Sequence, residues 1–297
     1  MTRSASRDLS GLRGRAEGLG QALPPLLASA ERLAATLILG EHGRRQAGTG
    51  DSFWQFRAAT PGDPMRRIDW RRSARGDVAY VRETEWQAAQ SVSLWIDGAQ
   101  SMRFSGAAGR ESKLERAQLL GLALSVLLLR GGERVGLAGG TEARHPRSGR
   151  AQIERIYAGL SEEAEVDYGA PEVEGAVGHG RVVMLSDFLG DLAGLEGAMA
   201  RLSDRGAVGV ILQILDPAEE EFPFDGRTIF ESMGGGLRHE TLRAGDLRAR
   251  YLDRLAARKA RLAELAQTAG WQFDTHHTGQ GAQSALLWLY RALERRR

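Results

Sequence analysis

Cysteine is absent from this chain of 297 residues. Its absence excludes disulfides, thiolate nucleophiles and cysteine-bound zinc. Long apolar runs are also missing, because the longest, Leu119 to Leu129, is interrupted by Gly121 and Ser125 and is far shorter than a bilayer span. The amino-terminal stretch is charged and has no apolar core of the kind that a secretory signal needs. We therefore expect no membrane span and a cytoplasmic location.

An excess of one charge is missing as well. Forty basic residues face thirty-eight acidic ones, and all of the basic residues except Lys113 and Lys259 are arginine. A surface that binds polyphosphate usually needs a larger basic surplus, so nucleic acid is not an expected partner. The bias towards arginine, alanine and glycine is typical of GC-rich coding sequences, and we expect a bacterial origin.

No phosphate-binding loop is present in the sequence. Neither lysine follows a glycine run, so the Gly-x-x-x-x-Gly-Lys-[Ser/Thr] pattern does not occur. The three glycines at 234–236 lack dinucleotide-loop spacing and indicate a turn between short strands. Any ATP hydrolysis linked to this chain would have to come from a partner.

Strand and helix patterns alternate along most of the chain. Alternation of this kind predicts an α/β fold with a mostly parallel sheet flanked by helices, from about residue 88 to 297. Residues 1–87 precede it, with one helix and a small β-containing element. The predicted strands of the sheet are Ser91–Asp97, Arg134–Gly139, Arg181–Asp187, Val208–Asp216 and Trp271–His277, and the longest predicted helix is Leu242–Ala269.

Three of the predicted strands end in an acid, namely Asp97, Asp187 and Asp216. Asp216 precedes Pro217, which indicates a helix cap. Asp97 is followed four residues later by Ser101, so a carboxylate and a hydroxyl share one strand-to-helix loop. Both groups could reach a hard cation such as Mg²⁺.

A dense charged motif lies between residues 61 and 77, with five arginines and three aspartates around one tryptophan. It could be a nucleic-acid patch, a structural ion-pair cluster or an interaction module. Three aspartates among the arginines disfavour nucleic acid. The balance of charge favours internal pairing, with Trp70 buried and the carboxylates bound to guanidinium groups. The residues concerned are Asp63, Arg67, Asp69, Trp70, Arg71 and Arg75.

The order PGDPMRRIDWRRSAR, then a short strand, then SVSLWIDGAQSM, resembles the family called domain of unknown function 58. That resemblance implies a von Willebrand factor A-like (Rossmann-like) domain and a non-enzymatic role. It implies an adaptor for a MoxR-type AAA+ ATPase and an unknown client protein. It also implies a metal-ion-dependent adhesion site, in which Asp97 and Ser101 match the first motif and Asp187 in LSDF the last.

The chain departs from that adhesion-site pattern at two places. Ala99 stands where the first motif has a serine, and no threonine occurs between Ser161 and His179 for the second motif. We therefore expect a degenerate site of Asp97, Ser101 and Asp187, with no cofactor and at most weak Mg²⁺ binding. Water, Ser101 or Arg103 would then relieve the repulsion between the two carboxylates.

A hydrolase is the alternative function. Ser101, Asp187 and His276 follow the Ser…Asp…His order of α/β-hydrolases, each at or just past a predicted strand end. Ser101 lacks the flanking glycines of a nucleophile elbow, however, and three common residues fall in this order easily.

Overall fold

The computed structural model describes a large part of the chain, in eleven stretches. They are residues 25–40, 53–60, 65, 68–76, 78–84, 89–139, 145–160, 165–173, 176, 178–236 and 238–294. Asp63 and Arg67 of the charged motif therefore lie outside the described residues.

Nine strands and eight α-helices are named here in chain order within those residues. They are α1 (Pro25–Gly40), β1 (Phe53–Ala58), α2 (Trp70–Ser73), β2 (Tyr80–Thr84), β3 (Ser91–Ile96), α3 (Lys113–Arg130), β4 (Arg134–Leu137), α4 (Ala151–Gly159), β5 (Arg181–Ser186), α5 (Ala193–Asp204), β6 (Val208–Leu215), α6 (Pro217–Glu221), β7 (Thr228–Glu231), β8 (Arg238–Thr241), α7 (Arg248–Ala269), β9 (Gln272–His277) and α8 (Ala282–Glu294).

A five-stranded parallel sheet in the order β4-β3-β5-β6-β9 forms the centre of the fold. The predicted α/β class is confirmed, and the arrangement is consistent with a Rossmann-like fold. In this strand order the chain leaves β3 towards one edge and later returns to β5 on the other side. The junction between β3 and β5 is therefore the topological switch point, where such sheets usually bind ligands.

The two faces of the sheet carry separate hydrophobic clusters, because successive strand residues point to opposite sides. Leu94 packs with residues of α1, α3 and α8 on one face. Its neighbour Trp95 packs with residues of α5 and α7 on the other. The buried residues of α1, Leu27, Ala30 and Ala34, belong to the first cluster. The division at residue 87 stays a prediction, but the amino-terminal helix shares the core of the sheet.

Two small antiparallel pairs accompany the sheet. β1 pairs with β2 next to the charged motif, and β7 pairs with β8 around the turn at 234–236. The long carboxyl-proximal helix starts later than predicted, since Ala244–Leu247 forms a 3₁₀ turn and α7 begins at Arg248. None of the helices in the described stretches is long and apolar enough to cross a membrane.

Candidate functional site

The carboxyl edge of the sheet brings Asp97 and Asp187 to the switch point, as expected. Asp97 follows β3 and Asp187 follows β5, and these strands are parallel neighbours with Ile96 beside Leu185. The Asp97 N–H donates to the Leu185 carbonyl at 2.9 Å. Both carboxylates are buried. The sheet order thus places two acids side by side in a crevice where charge is costly to bury.

Asp97 is held by donors on three sides. Ser186 donates its hydroxyl to Oδ2 at 2.6 Å, and the Ala99 N–H donates to Oδ1 at 2.9 Å. The Gly169 N–H donates as well, and a Cβ at Gly169 would stand 2.1 Å from Asp97 Oδ1. Burial raises the pKa of Asp97, and the charge of Asp187 adds to this despite the opposing hydrogen bonds. Only glycine allows the 165–173 segment to approach this carboxylate so closely.

Lys113 supplies the cation at this edge. Its Nζ donates to Asp187 Oδ2 at 2.8 Å and to Glu219 Oε1 at 2.6 Å, and only 1% of its side chain is exposed. Burial alone would lower the pKa of Lys113, but the carboxylates of Asp187 and Glu219 raise it above its ordinary value. The sequence predicted that water, Ser101 or Arg103 would relieve the repulsion between the two carboxylates. The counter-charge is instead the Lys113 ammonium, which binds Asp187.

Local helix starts position both partners of this ion pair. Lys113 is the first residue of α3, which begins with a capping box between Ser112 and Glu115. The Phe104 ring lies 5.7 Å from Lys113 Nζ, at cation–π distance. Glu219 lies in the first turn of α6, where Asp216 is the N-cap and Glu219 completes a second capping box. The predicted cap role of Asp216 is therefore confirmed.

Ser101 is buried at the same edge, but its hydroxyl has no hydrogen-bond partner within the described part of the chain. Its N–H donates to the Asp167 carbonyl, and that of Gln100 to the Val166 carbonyl, both at 2.9 Å. The segment that should carry a metal-binding threonine thus packs against the first loop through its backbone.

The residues at this edge do not fit a divalent cation as they stand. Lys113 Nζ already occupies the position between Asp187 and Glu219. Across the described stretches, no group of three or more histidine or acidic side chains is arranged to hold a metal ion. Asp97, Ser101 and Asp187 are brought to one edge, but the positive charge there belongs to the protein itself.

The charged motif is arranged differently from its prediction. Trp70 is 58% exposed, so its predicted burial is wrong. Asp69 caps the one-turn helix α2 by accepting from the Arg72 N–H at 3.0 Å. Ser73 ties that helix to β2, because its hydroxyl donates to the Asp69 carbonyl and accepts from the Tyr80 N–H. Hydrogen bonds between side chains and the backbone, and not a buried indole, hold the segment in place.

Two arginines of this segment extend into solvent, one within α2 and one just after it. Arg71 and Arg75 are exposed, and neither forms an ion pair with another residue that the structure describes. Met65 and Val78 are 71% and 46% exposed. We call Met65, Trp70, Arg71, Arg75 and Val78 the motif surface. It combines large apolar side chains with guanidinium groups in one exposed segment.

A family model described as "Protein of unknown function DUF58" matches residues 55–261, which is more than half of the chain. The chain belongs to the DUF58 family. Uncharacterized proteins of Mycobacterium bovis and of two strains of Mycobacterium tuberculosis are 27% identical to it over 269 residues, covering 85% of this chain and 82% of each relative. The resemblance stated from the motif is thereby confirmed.

A solved structure is also similar to this DUF58 protein. It is the crystal structure of an aerotolerance-related membrane protein from Bacteroides fragilis that carries multiple mutations to serines. The TM-score is 0.39 at 18% sequence identity, with 68% of this chain and 96% of that chain covered. A similarity this low carries no functional transfer.

The hydrolase hypothesis finds no hydrogen-bonded triad in the described stretches of the DUF58 protein. His276 is buried, and its Nε2 lies 2.8 Å from Arg116 Nη1. Burial, then the Arg116 charge, lowers the pKa of His276 to about 4. Asp187 is bound by Lys113 and by the Leu189 N–H. The three side chains therefore have other partners or, for Ser101, none among the described residues.

Sequence reasoning missed Lys113, Glu219 and Arg116 as members of the edge. One signal for Lys113 was available, since it is one of only two lysines in a chain that otherwise uses arginine. The pairing itself was hidden, because Asp187 and Glu219 lie 74 and 106 residues away from Lys113 along the chain.

Proposed function

We propose that this DUF58 protein is a non-enzymatic adaptor that binds a MoxR-type AAA+ ATPase through its motif surface and presents a client protein to it. The observation that carries the proposal is the exposure of Trp70 beside Arg71 and Arg75. Tryptophan and arginine are the residues most enriched among the energetic anchors of protein interfaces. Exposed apolar side chains that adjoin charged groups are typical of interaction sites.

The chemistry of the motif surface favours an acidic partner. The Asp69 carboxylate caps α2, and among the described residues no carboxylate forms an ion pair with the guanidinium groups of Arg71 and Arg75. A matching partner would offer carboxylates around an apolar pocket that takes the indole ring. Charge complementarity of this kind speeds association and selects partners, and salt weakens it.

An adaptor role also agrees with the carboxyl edge. The acids there are engaged by Lys113, Ser186 and backbone N–H groups, which favours a structural role for them over a reactive one. Since the sequence has no phosphate-binding loop, the ATPase would supply the energy. A cytoplasmic location belongs to the same proposal, because the ATPase would meet the adaptor there.

Co-purification from the native bacterium tests the proposal. The intact chain would be tagged, bound with and without a non-hydrolysable ATP analogue, and treated with nuclease before washing. We expect the wild type to recover a AAA+ ATPase, and Trp70→Ala and Arg71→Glu/Arg75→Glu to lose it. Leu242→Ala, at a residue that is 74% exposed elsewhere on the surface, is the matched control and should retain it.

Three outcomes would contradict this adaptor. One is recovery of no ATPase under any nucleotide condition. Another is equal recovery by Trp70→Ala and Leu242→Ala, which would move the interface away from the motif surface. The third is a set of bound proteins that disappears entirely after nuclease treatment, which would assign the arginines to nucleic acid.

A further inference from the structure

The carboxyl edge contains one buried ammonium in the place where a bound cation would otherwise neutralise acids. Lys113 Nζ contacts one oxygen of Asp187 and one of Glu219, at 2.8 and 2.6 Å. Those two oxygens therefore share one cationic neighbour. Calcium–oxygen distances in proteins are about 2.3–2.6 Å, slightly shorter than the hydrogen bonds seen here.

The groups around this ammonium stabilise a positive charge. Asp97 adds a second fully buried acid beside Asp187 at the same edge, and its pKa is raised by burial and in part by the Asp187 charge. Phe104 presents its ring at 5.7 Å from Lys113 Nζ. Glu219 itself is held by its second oxygen, which accepts from the Asp216 N–H at 2.8 Å. A cation at this point is needed to offset the carboxylates, whichever group carries it.

We infer that Lys113 is a covalently attached substitute for a bound divalent cation at the switch point, and that removing its ammonium opens a site for Mg²⁺ or Ca²⁺ between Asp187 and Glu219. The carboxyl edge of the wild type then needs no metal, and it binds no divalent ion whatever the ion concentration. This inference does not depend on the adaptor proposal.

Thermal unfolding of the isolated chain tests it without any partner. Lys113→Ala should lower the melting temperature by on the order of 10 °C, because it leaves two buried carboxylates without their counter-charge. Millimolar MgCl₂ or CaCl₂ should restore part of that loss, and NaCl at equal ionic strength should restore less. Lys259→Ala is the control, because Lys259 is the other lysine of the chain and its side chain is 27% exposed.

A second set of variants covers the case in which Lys113→Ala does not fold. Lys113→Met keeps the length of the side chain, and Lys113→Met/Asp187→Asn/Glu219→Gln also removes the uncompensated charges. We expect the triple variant to melt higher than Lys113→Met and to show no specific response to divalent ions. Isothermal titration of Mg²⁺ should detect binding to Lys113→Ala and none to the triple variant.

Three results would overturn the inference. In the first, Mg²⁺ and Ca²⁺ stabilise Lys113→Ala no more than NaCl of equal ionic strength does. In the second, the triple variant melts no higher than Lys113→Met, which would mean that the lysine contributes packing and not charge. In the third, Mg²⁺ stabilises the wild type to the same degree as Lys113→Ala, which would mean that the Lys113 ammonium does not take the place of a bound cation.

Discussion

The carboxyl edge and the motif surface are both rich in charge, yet they use it in opposite ways. At the edge, Lys113 pairs with Asp187 and Glu219 and the group is buried. At the motif surface, Arg71 and Arg75 lie in solvent beside an exposed Trp70. The edge is assembled from residues distant in sequence, whose strands and helices force them together. The motif surface comes from one short stretch of chain around the one-turn helix α2, and adjacent residues on a helix do not face one another.

Removing the buried ammonium should have the largest effect and would show how strongly the edge depends on it. Breaking a buried ion pair by deleting one partner costs about 3–5 kcal/mol, and we expect Lys113→Met to lower the free energy of unfolding by about that amount. Urea denaturation followed by circular dichroism would measure it. If the free energy of unfolding fell by less than about 1 kcal/mol, the Lys113 ion pair would contribute no more to stability than a pair on the surface does.

The buried histidine at the edge should make stability depend on pH. The pKa of His276 falls from the ordinary 6.5 to about 4 on folding. Between these two pH values, the imidazole is protonated in the unfolded chain and neutral in the native state. Stability is therefore full above pH 6.5 and falls as the pH drops towards 4, by up to about 3 kcal/mol from this one group. Chemical denaturation of the wild type and of His276→Asn across this range would show a shallower decline in the variant. His239→Asn, at an exposed position, should follow the wild type.

Much of the fold could be predicted from the sequence because its signals are local. Alternating apolar strands and helices indicated the parallel sheet, and the Asp216-Pro217 pair indicated a cap. The contact of Lys113 with Asp187 and Glu219 could not be predicted, because it depends on which strands are neighbours. The exposure of Trp70 was also missed. The helix α2 covers four residues, which is too short for any periodicity to show which side is buried.

Truncation of Trp70 should leave the fold intact, and in this the motif surface should differ from the carboxyl edge. Because the side chain is 58% exposed, Trp70→Ala should change the free energy of unfolding by less than about 1 kcal/mol, in the range of ordinary surface substitutions. Differential scanning calorimetry against the wild type would measure it. A loss of about 3 kcal/mol, as for a buried aromatic residue, would mean that the indole packs against the core.

Loss of the Ser101 hydroxyl should have the smallest effect. The oxygen is buried and has no partner among the described residues, so Ser101→Ala should be neutral or slightly stabilising, within about 1 kcal/mol. The same position tests the hydrolase alternative. A fluorophosphonate probe should not label the wild type. Stoichiometric labelling that disappears in Ser101→Ala would instead support catalysis.

Calorimetric titration of the AAA+ ATPase recovered by co-purification into this DUF58 protein tests the proposed partnership most directly. We predict that Trp70→Ala binds at least tenfold more weakly than the wild type, a difference of about 1.4 kcal/mol, while both proteins melt at the same temperature. Lys113→Ala, where it remains folded, should bind like the wild type. Equal affinities of the wild type and Trp70→Ala for the ATPase would contradict the account.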